Sequence, residues 1–416
     1  MSPASEIREA SHAFQLEFCR APDRVFRAPG RIELLGNHTD YNQGLVLGMT
    51  LDLGITVAVA HRSDRTIRLR SSAFPDSPAN LDSSSLRKLP RQHWARYLLA
   101  LVPELKQEGF RIGGFDGVVT SSLPSGGGLS SSAALLVATV IALTGLPHRT
   151  GSERLRIARI CERAEHRLGV NCGLLDYLTI LHGKAGRAVF MDLRSLRVEV
   201  MPWPKSLTLV LVDSGVRHEL SDGRYNRIVR TCAAAASACG VRSLRELHRR
   251  DLETAVPGSK SKSKLSPRQR EVALHVLEEN ERVRRATRSL KRKAYSELGP
   301  LFTASHASSR DQLRNSCPAL DDSIQRASTL PGWLGGRLTG GGFGGMTLHL
   351  VKARSVGEFF RALPNGGEQS PKSKASVPIR VGPWNPCPFV SSTARLAEPR
   401  EGGTPCNERA QTLERK

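Results

Sequence analysis

Hydrophobic spacing divides this chain into a helix, a strand-rich stretch, a buried helix and then alternating helices and strands. Residues 5–19 carry Ile7, Ala10, Phe14 and Phe18 at helical spacing. After a turn at Ala21-Pro22-Asp23, the spacing predicts a strand at Val25–Arg27, another at Leu45–Leu47, and a meander through Ile55–Val59 and Thr66–Arg70. An amphipathic helix follows over 93–107, with Trp94, Tyr97 and Leu98 on one side. Gly117–Thr120 is a short buried strand. Ala133–Leu146 reads AALLVATVIALTGL, an almost wholly apolar helix that Gly145 and Pro147 stop. Further helices are predicted over 152–167, Leu174–Leu181, Tyr225–Ala238 and Pro267–Leu290, with strands at Ala188–Met191, Leu207–Val212 and Met346–Val351.

Chemistry concentrates in the connections. Leu123-Pro-Ser-Gly-Gly-Gly-Leu-Ser-Ser-Ser-Ala-Ala134 joins the buried strand to the apolar helix. A glycine-rich turn ahead of a helix N-terminus offers free N–H groups and the positive end of a helix dipole, a natural phosphate site. The loop lacks the lysine of the common nucleotide loop. A plain Gly/Ser connector is the competing reading, and the long buried helix directly after it favours phosphate.

Residues 28–42 read APGRIELLGNHTDYN, crowding Arg31, Glu33, Asn37, His38, Asp40 and Tyr41 between two apolar strands. Guanidinium, imidazole and carboxylate groups gathered this way suit a small polyhydroxylated ligand. A polar hairpin turn accounts for Thr39, Asn42 and Gln43 better than for Arg31 and His38. Asp176 interrupts an apolar segment, where a carboxylate is costly unless paired. A helix cap is one reading and a catalytic carboxylate the favoured one. Gly340–Gly345 matches G-x-G-x-x-G, but a strand follows it instead of a helix, so a dinucleotide site is rejected.

Composition narrows the classes. The 416 residues suffice for two domains. No window reaches the length of a membrane span, and the N-terminal stretch has no apolar run of a secretory signal. Eight scattered cysteines without a C-x-x-C pair read as reduced thiols of a cytoplasmic protein. The formal charge of +22 sits mainly in Ser259–Arg268, Arg282–Lys293 and the C-terminal tail, with no interleaved aromatics, so a solvated surface is expected and nucleic acid is not.

LPSGGGLSSSAA resembles the second motif of the GHMP kinases, and GGRLTGGGFGG is similar to their third. APGRIELLGNHTDYNQG resembles the signature peculiar to the galactokinase branch, and Asn171–Asp176 and Ser316–Asp321 resemble further segments in the same order. The resemblance runs from about residue 10 to 360. It implies a two-domain α+β fold: residues 1–200 like domain 2 of ribosomal protein S5, and 201–365 like a ferredoxin sandwich. It also implies ATP-dependent phosphorylation of the C1 hydroxyl of galactose. Arg31, Asn37, His38, Asp40, Gly173, Asp176 and Tyr225 then fall on sugar-site positions, with Asp176 and Arg31 catalytic. Gly126, Gly127, Gly128, Ser130, Ser131 and Ser132 fall on the ATP loop, and Ser132 and Glu165 match Mg²⁺ ligands. The partners implied are galactose or a related monosaccharide and ATP, with no membrane and a monomeric enzyme.

Three departures stand out: Glu33 replaces the usual Asn, Asn37 replaces the usual Glu, and the Glu165–Asp176 spacing is one residue short. A kinase for N-acetylgalactosamine, L-arabinose or a uronic acid is the alternative within the class, and a sugar-sensing regulator the alternative outside it. Residues 366–416, rich in Pro, Gly, Ser and charge, resemble nothing in the family and are expected to be disordered.

Overall fold

The computed structural model describes residues 2–82, 93–124, 128–216, 223–253 and 265–363, together with the backbone of two short strands, 379–381 and 391–392. Gly126, Gly127, the first part of the basic run from Ser259 and most of the expected tail lie outside the described residues.

Helix α1 (Pro3–Phe18) leads into β1 (Arg24–Leu35) and β2 (Leu45–Arg62), followed by β3 (Thr66–Ser71) and β4 (Ala79–Asp82). Next come α2 (Arg96–Gln107), β5 (Gly114–Ser121), α3 (Ser131–Thr144), α4 (Gly151–Arg167), α5 (Leu175–His182), β6 (Arg187–Asp192) and β7 (Arg197–Pro202). The first sheet runs β1-β2-β5-β3-β4, and β6 with β7 joins at the other half of β2. The long strand β2 makes this possible: Ile55–Arg62 pairs with β5, whereas Leu45–Gly48 pairs with β6. The two strands expected at Leu45–Leu47 and Ile55–Val59 are thus one, and Arg31 and Glu33 lie on β1 itself instead of in a connecting turn.

The second half holds β8 (Leu207–Asp213), α6 (Arg224–Ala238), α7 (Arg249–Glu253), α8 (Pro267–Arg292), α9 (Leu298–Ser308), α10 (Pro318–Ser328), β9 (Trp333–Thr339), β10 (Met346–Lys352) and α11 (Val356–Ala362). Strands β8, β10 and β9 form an antiparallel sheet covered by α9, α10 and α11. The result is a two-domain α+β architecture. Its largest apolar cluster takes Leu35, Val57 and Leu136 from the first half and Val283, Phe302 and Leu348 from the second. Helix α8 packs against β2 as well as α6 and α9, so it braces the first half from the second.

Within the expected tail, β11 (Ile379–Val381) extends the second sheet beside β8, and β12 (Ser391–Ser392) pairs with the edge of β1. Cys161, Cys172, Cys232, Cys239 and Cys317 are free thiols, as expected of these positions. Among the described residues no helix is long and apolar enough to cross a membrane.

Candidate active site

Helix α3 is buried along nearly its whole length, so its N-terminus is fixed from within the core. Ser130 at its N-cap takes the left-handed conformation (φ 59°) and makes no side-chain cap. Its hydroxyl instead donates to Asp176 Oδ2. Gly128, at φ 71°, completes the described part of the turn ahead of Ser130 and Ser131. The first-turn amides therefore stay available to an anion.

Asp176 stands in the first turn of α5, as the apolar run around it suggested. Arg31 Nε donates to Asp176 Oδ1 at 2.7 Å, and Arg31 Nη1 donates to the Gly128 carbonyl at 2.8 Å. One guanidinium on β1 thus ties Asp176 and the glycine-rich turn together. A carboxylate held by a guanidinium in this way is fixed in orientation.

The signature loop forms the adjoining wall. His38 is buried at φ 57°, with Nδ1 2.6 Å from the Tyr41 hydroxyl and Nε2 3.2 Å from the Gly341 carbonyl. Tyr225, at the start of α6, packs its ring against His38 with centroids 4.9 Å apart. The Gly173 N–H donates to Asp40 Oδ2 at 3.1 Å. The approach is close: a Cβ at Gly173 would meet Asp40 Oδ2 at 2.6 Å and force the Asp40 side chain to shift. Ser130, His38 and Phe343 (φ 61°) are all non-glycine residues in the left-handed region around one site, a sparsely populated conformation held by surrounding structure.

Burial sets the protonation states here. It pushes His38 down to about 3, so its imidazole is neutral at physiological pH. It pushes Asp40 up to about 7, helped by the charges of Asp176 and Glu33 and opposed by the Tyr41 and Gly173 amides. Burial raises Glu33 as well, against the opposing charges of Arg337 and Arg31.

Glu165 lies buried on α4. Its Oε2 accepts from the Tyr177 hydroxyl and from Cys172 Sγ (3.1 Å), and the Ser132 hydroxyl also bonds the carboxylate. Ser132 and Glu165 are therefore neighbours despite the shortened spacing to Asp176. Among the described residues no group of three or more His, Cys, Asp or Glu converges as a resident metal site. One hydroxyl and one carboxylate suit an ion that arrives on substrate phosphates and keeps several waters, as Mg²⁺ does.

Several residues at this centre escaped the sequence reading. Glu279 on α8 accepts from the Gly36 and Asn37 amides (2.8 and 3.2 Å), and Asn280 Oδ1 accepts from Leu45 N at 2.7 Å. Burial alone would raise the Glu279 carboxyl, but Arg282, with Nε 2.6 Å from Glu279 Oε2, outweighs it together with Arg337 and His275 and holds it below the usual range. A signal existed: Glu279 falls on the apolar stripe Val272-Val276-Val283, where a solvated acid is out of place. Arg337 gave none, since it sits inside a glycine-rich run. It is fully buried and its Nη1 donates to Glu33 Oε1 at 2.8 Å.

Residues 12–61 match the family model described as the galactokinase galactose-binding signature, 95–184 the GHMP kinases N-terminal domain, and 286–369 the GHMP kinases C-terminal model. Galactokinase from Bos taurus is 39% identical over 359 residues, covering 84% of this chain and 89% of that protein. The chain belongs to the galactokinase family. Human galactokinase is 38% identical over 364 residues, covering 85% of this chain and 90% of its own. The crystal structure of Lactococcus lactis galactokinase complexed with galactose superposes with a TM-score of 0.77 at 28% identity, over 85% of this chain and 92% of that one. Methanococcus jannaschii mevalonate kinase, at 18% identity and a TM-score of 0.57, shares the fold. As a galactokinase family member the chain is a sugar kinase, with the signature loop and the turn before α3 on the two sides of Asp176.

Proposed function

We propose that this chain transfers the γ-phosphoryl group of ATP to the anomeric C1 hydroxyl of galactose. The observation that carries the reading is the Arg31–Asp176–Ser130 cluster, where one carboxylate is held between the signature strand and the N-terminus of α3. Phosphoryl transfer asks for in-line positioning and charge neutralisation more than for covalent chemistry. Asp176 accepts the C1 hydroxyl proton as the bond to phosphorus forms. Arg31 steadies Asp176 and offsets charge on the transferring group. His38, Asp40, Gly173 and Tyr225 shape the sugar pocket, with the Asp40 carboxylate accepting from ring hydroxyls. Gly126 to Gly128 and the Ser130–Ser132 amides would receive the phosphates of MgATP, and Ser132 with Glu165 would hold the Mg²⁺, which would neutralise phosphate charge. The enzyme works as a monomer in the cytoplasm.

The test is a panel of monosaccharides with MgATP: galactose should give the highest kcat/KM. A higher value for N-acetylgalactosamine, L-arabinose or a uronic acid would move the substrate, and ATP consumption with none of them would move the activity. For the metal, Ser132→Ala should raise the Mg²⁺ concentration at half-maximal rate about tenfold or more, as first-neighbour and supporting groups do in metal sites. Superimposable magnesium titrations would remove Ser132 from coordination.

Asp40 gives the reaction a pH signature. Its carboxyl takes up a proton as the pH falls through about 7 and then loses acceptor capacity toward sugar hydroxyls. Galactose KM should therefore rise as pH falls below 7 while ATP KM stays flat. Stability runs the other way. A pKa raised above 3.8 means that ionised Asp40 opposes folding progressively from pH 3.8 to about 7. Asp40→Asn should then raise Tm at pH 8 more than at pH 5, and raise galactose KM about 10- to 150-fold, the worth of a charged hydrogen bond. A larger Tm gain at pH 5 would contradict this assignment.

A further inference from the structure

Asn37 stands where the family has a glutamate, yet its amide has no function left for a ligand. Its Nδ2 donates to the Gly340 carbonyl at 2.8 Å and, at 3.4 Å, to Glu33 Oε2. Its Oδ1 accepts from Asn315 Nδ2 at 2.9 Å and Ser309 Oγ at 3.3 Å. Four interactions use the two donors and the two acceptor positions of the side chain, which is 1% exposed. Three of the four partners belong to the second half of the chain.

The contacts close a ring. Glu33 and Arg31 sit two apart on β1, so their side chains share one face of the strand. Arg31 holds the Gly128 carbonyl. Gly340 packs so tightly on Gly128, at φ 79°, that a Cβ would lie 3.0 Å from that same oxygen. Asn37 holds Gly340, and Arg337 on β9 holds Glu33. The next residue, Gly341, carries the carbonyl that meets His38. Phosphate turn, sugar loop and glycine-rich β9–β10 turn are thus fixed to one another through residues 33 and 37.

Charge decides how these two positions can be filled. Two carboxylates a few ångströms apart in a buried site cannot both ionise, and Glu279 already adds negative charge at the Gly36 and Asn37 amides. The Gly340 carbonyl also requires a donor from position 37.

We propose that Glu33 and Asn37 are one singly charged positioning unit, which ties the signature loop to the β9–β10 turn, and that Asn37 does not touch the sugar. This rests on the galactose reading for its kinetic consequences, but not for its structural ones.

The discriminating variant is Asn37→Asp, equal in size, which sets an oxygen against the Gly340 carbonyl and Glu33. It should lower Tm and reduce kcat about tenfold or more while galactose Kd by calorimetry changes less than about threefold, since a lost tie costs geometry and not a sugar contact. Glu33→Gln combined with Asn37→Asp keeps one carboxylate in the pair. This double variant should recover part of the lost Tm and kcat, because the new amide at position 33 can donate to the carboxylate at position 37 while the Gly340 carbonyl still lacks its donor, the non-additivity expected of residues in contact. Should Asn37→Asp fail to fold, Asn37→Ser takes its place for the Kd and kcat comparison. A galactose Kd raised about tenfold at unchanged kcat and Tm would make Asn37 a sugar ligand. A double variant no better than Asn37→Asp would also overturn the proposal. Absence of sugar-dependent turnover in the unsubstituted protein would sink the galactose reading alone, because the Tm rescue still decides the unit.

Discussion

Replacing Asp176 by Asn is expected to reduce kcat about 10²- to 10⁴-fold, the range lost with a positioned general base. Asn keeps an oxygen for Arg31 and can donate to Ser130 Oγ, so the contacts that hold the side chain are preserved in kind. Folding, ATP affinity and galactose affinity should accordingly stay near those of the unsubstituted protein, and the loss should appear in kcat and kcat/KM equally. Arg31→Lys offers a second view of the same cluster. A single ammonium cannot serve Asp176 and the Gly128 carbonyl with the fixed fork that a guanidinium supplies. Near-normal turnover in Asp176→Asn would reduce this carboxylate to a brace for Arg31.

Removing Arg337 should have the largest effect on stability. Arg337→Met leaves the Glu33 carboxylate buried without its partner, a change that costs about 3–5 kcal/mol in comparable buried pairs. Burial already raises Glu33, and loss of Arg337 raises it further, so the unpaired group meets the cost by binding a proton. The sign follows: ionised Glu33 destabilises more as pH rises, and the deficit of Arg337→Met should be greater at pH 8 than at pH 5. Glu33→Gln added to Arg337→Met should return part of the loss, because a neutral amide needs less compensation. Urea unfolding at the two pH values measures all of this. A deficit that is equal at both would mean that Glu33 is not the group left uncompensated.

What the sequence disclosed and what it hid separate along physical lines. The turn before α3 and Asp176 were legible because they break an apolar background: a Gly/Ser run ahead of a largely buried helix, and one acid among leucines. The strands were legible where side chains alternate. They were missed at β7, where Arg197 and Glu199 dilute the pattern, and at β9, where Gly335 and Gly336 read as loop. Gly335 is glycine because a Cβ there would lie 2.1 Å from the Gly299 carbonyl oxygen, a helix–strand approach that local pattern does not encode. The partnership of Arg337 with Glu33 and of Asn315 with Asn37 spans 304 and 278 residues, and spacing rules carry no information at such separations. The exchange at positions 33 and 37 could be seen in the sequence, but its meaning lay in the four partners of one amide.

The most direct test of the account is the product formed by the purified protein with MgATP and galactose. Phosphorus NMR should show a galactose phosphate ester coupled to the anomeric proton, formed in equal amount with ADP and absent without the sugar. ADP released at the same rate without galactose, or phosphate placed on a hydroxyl other than C1, would contradict it.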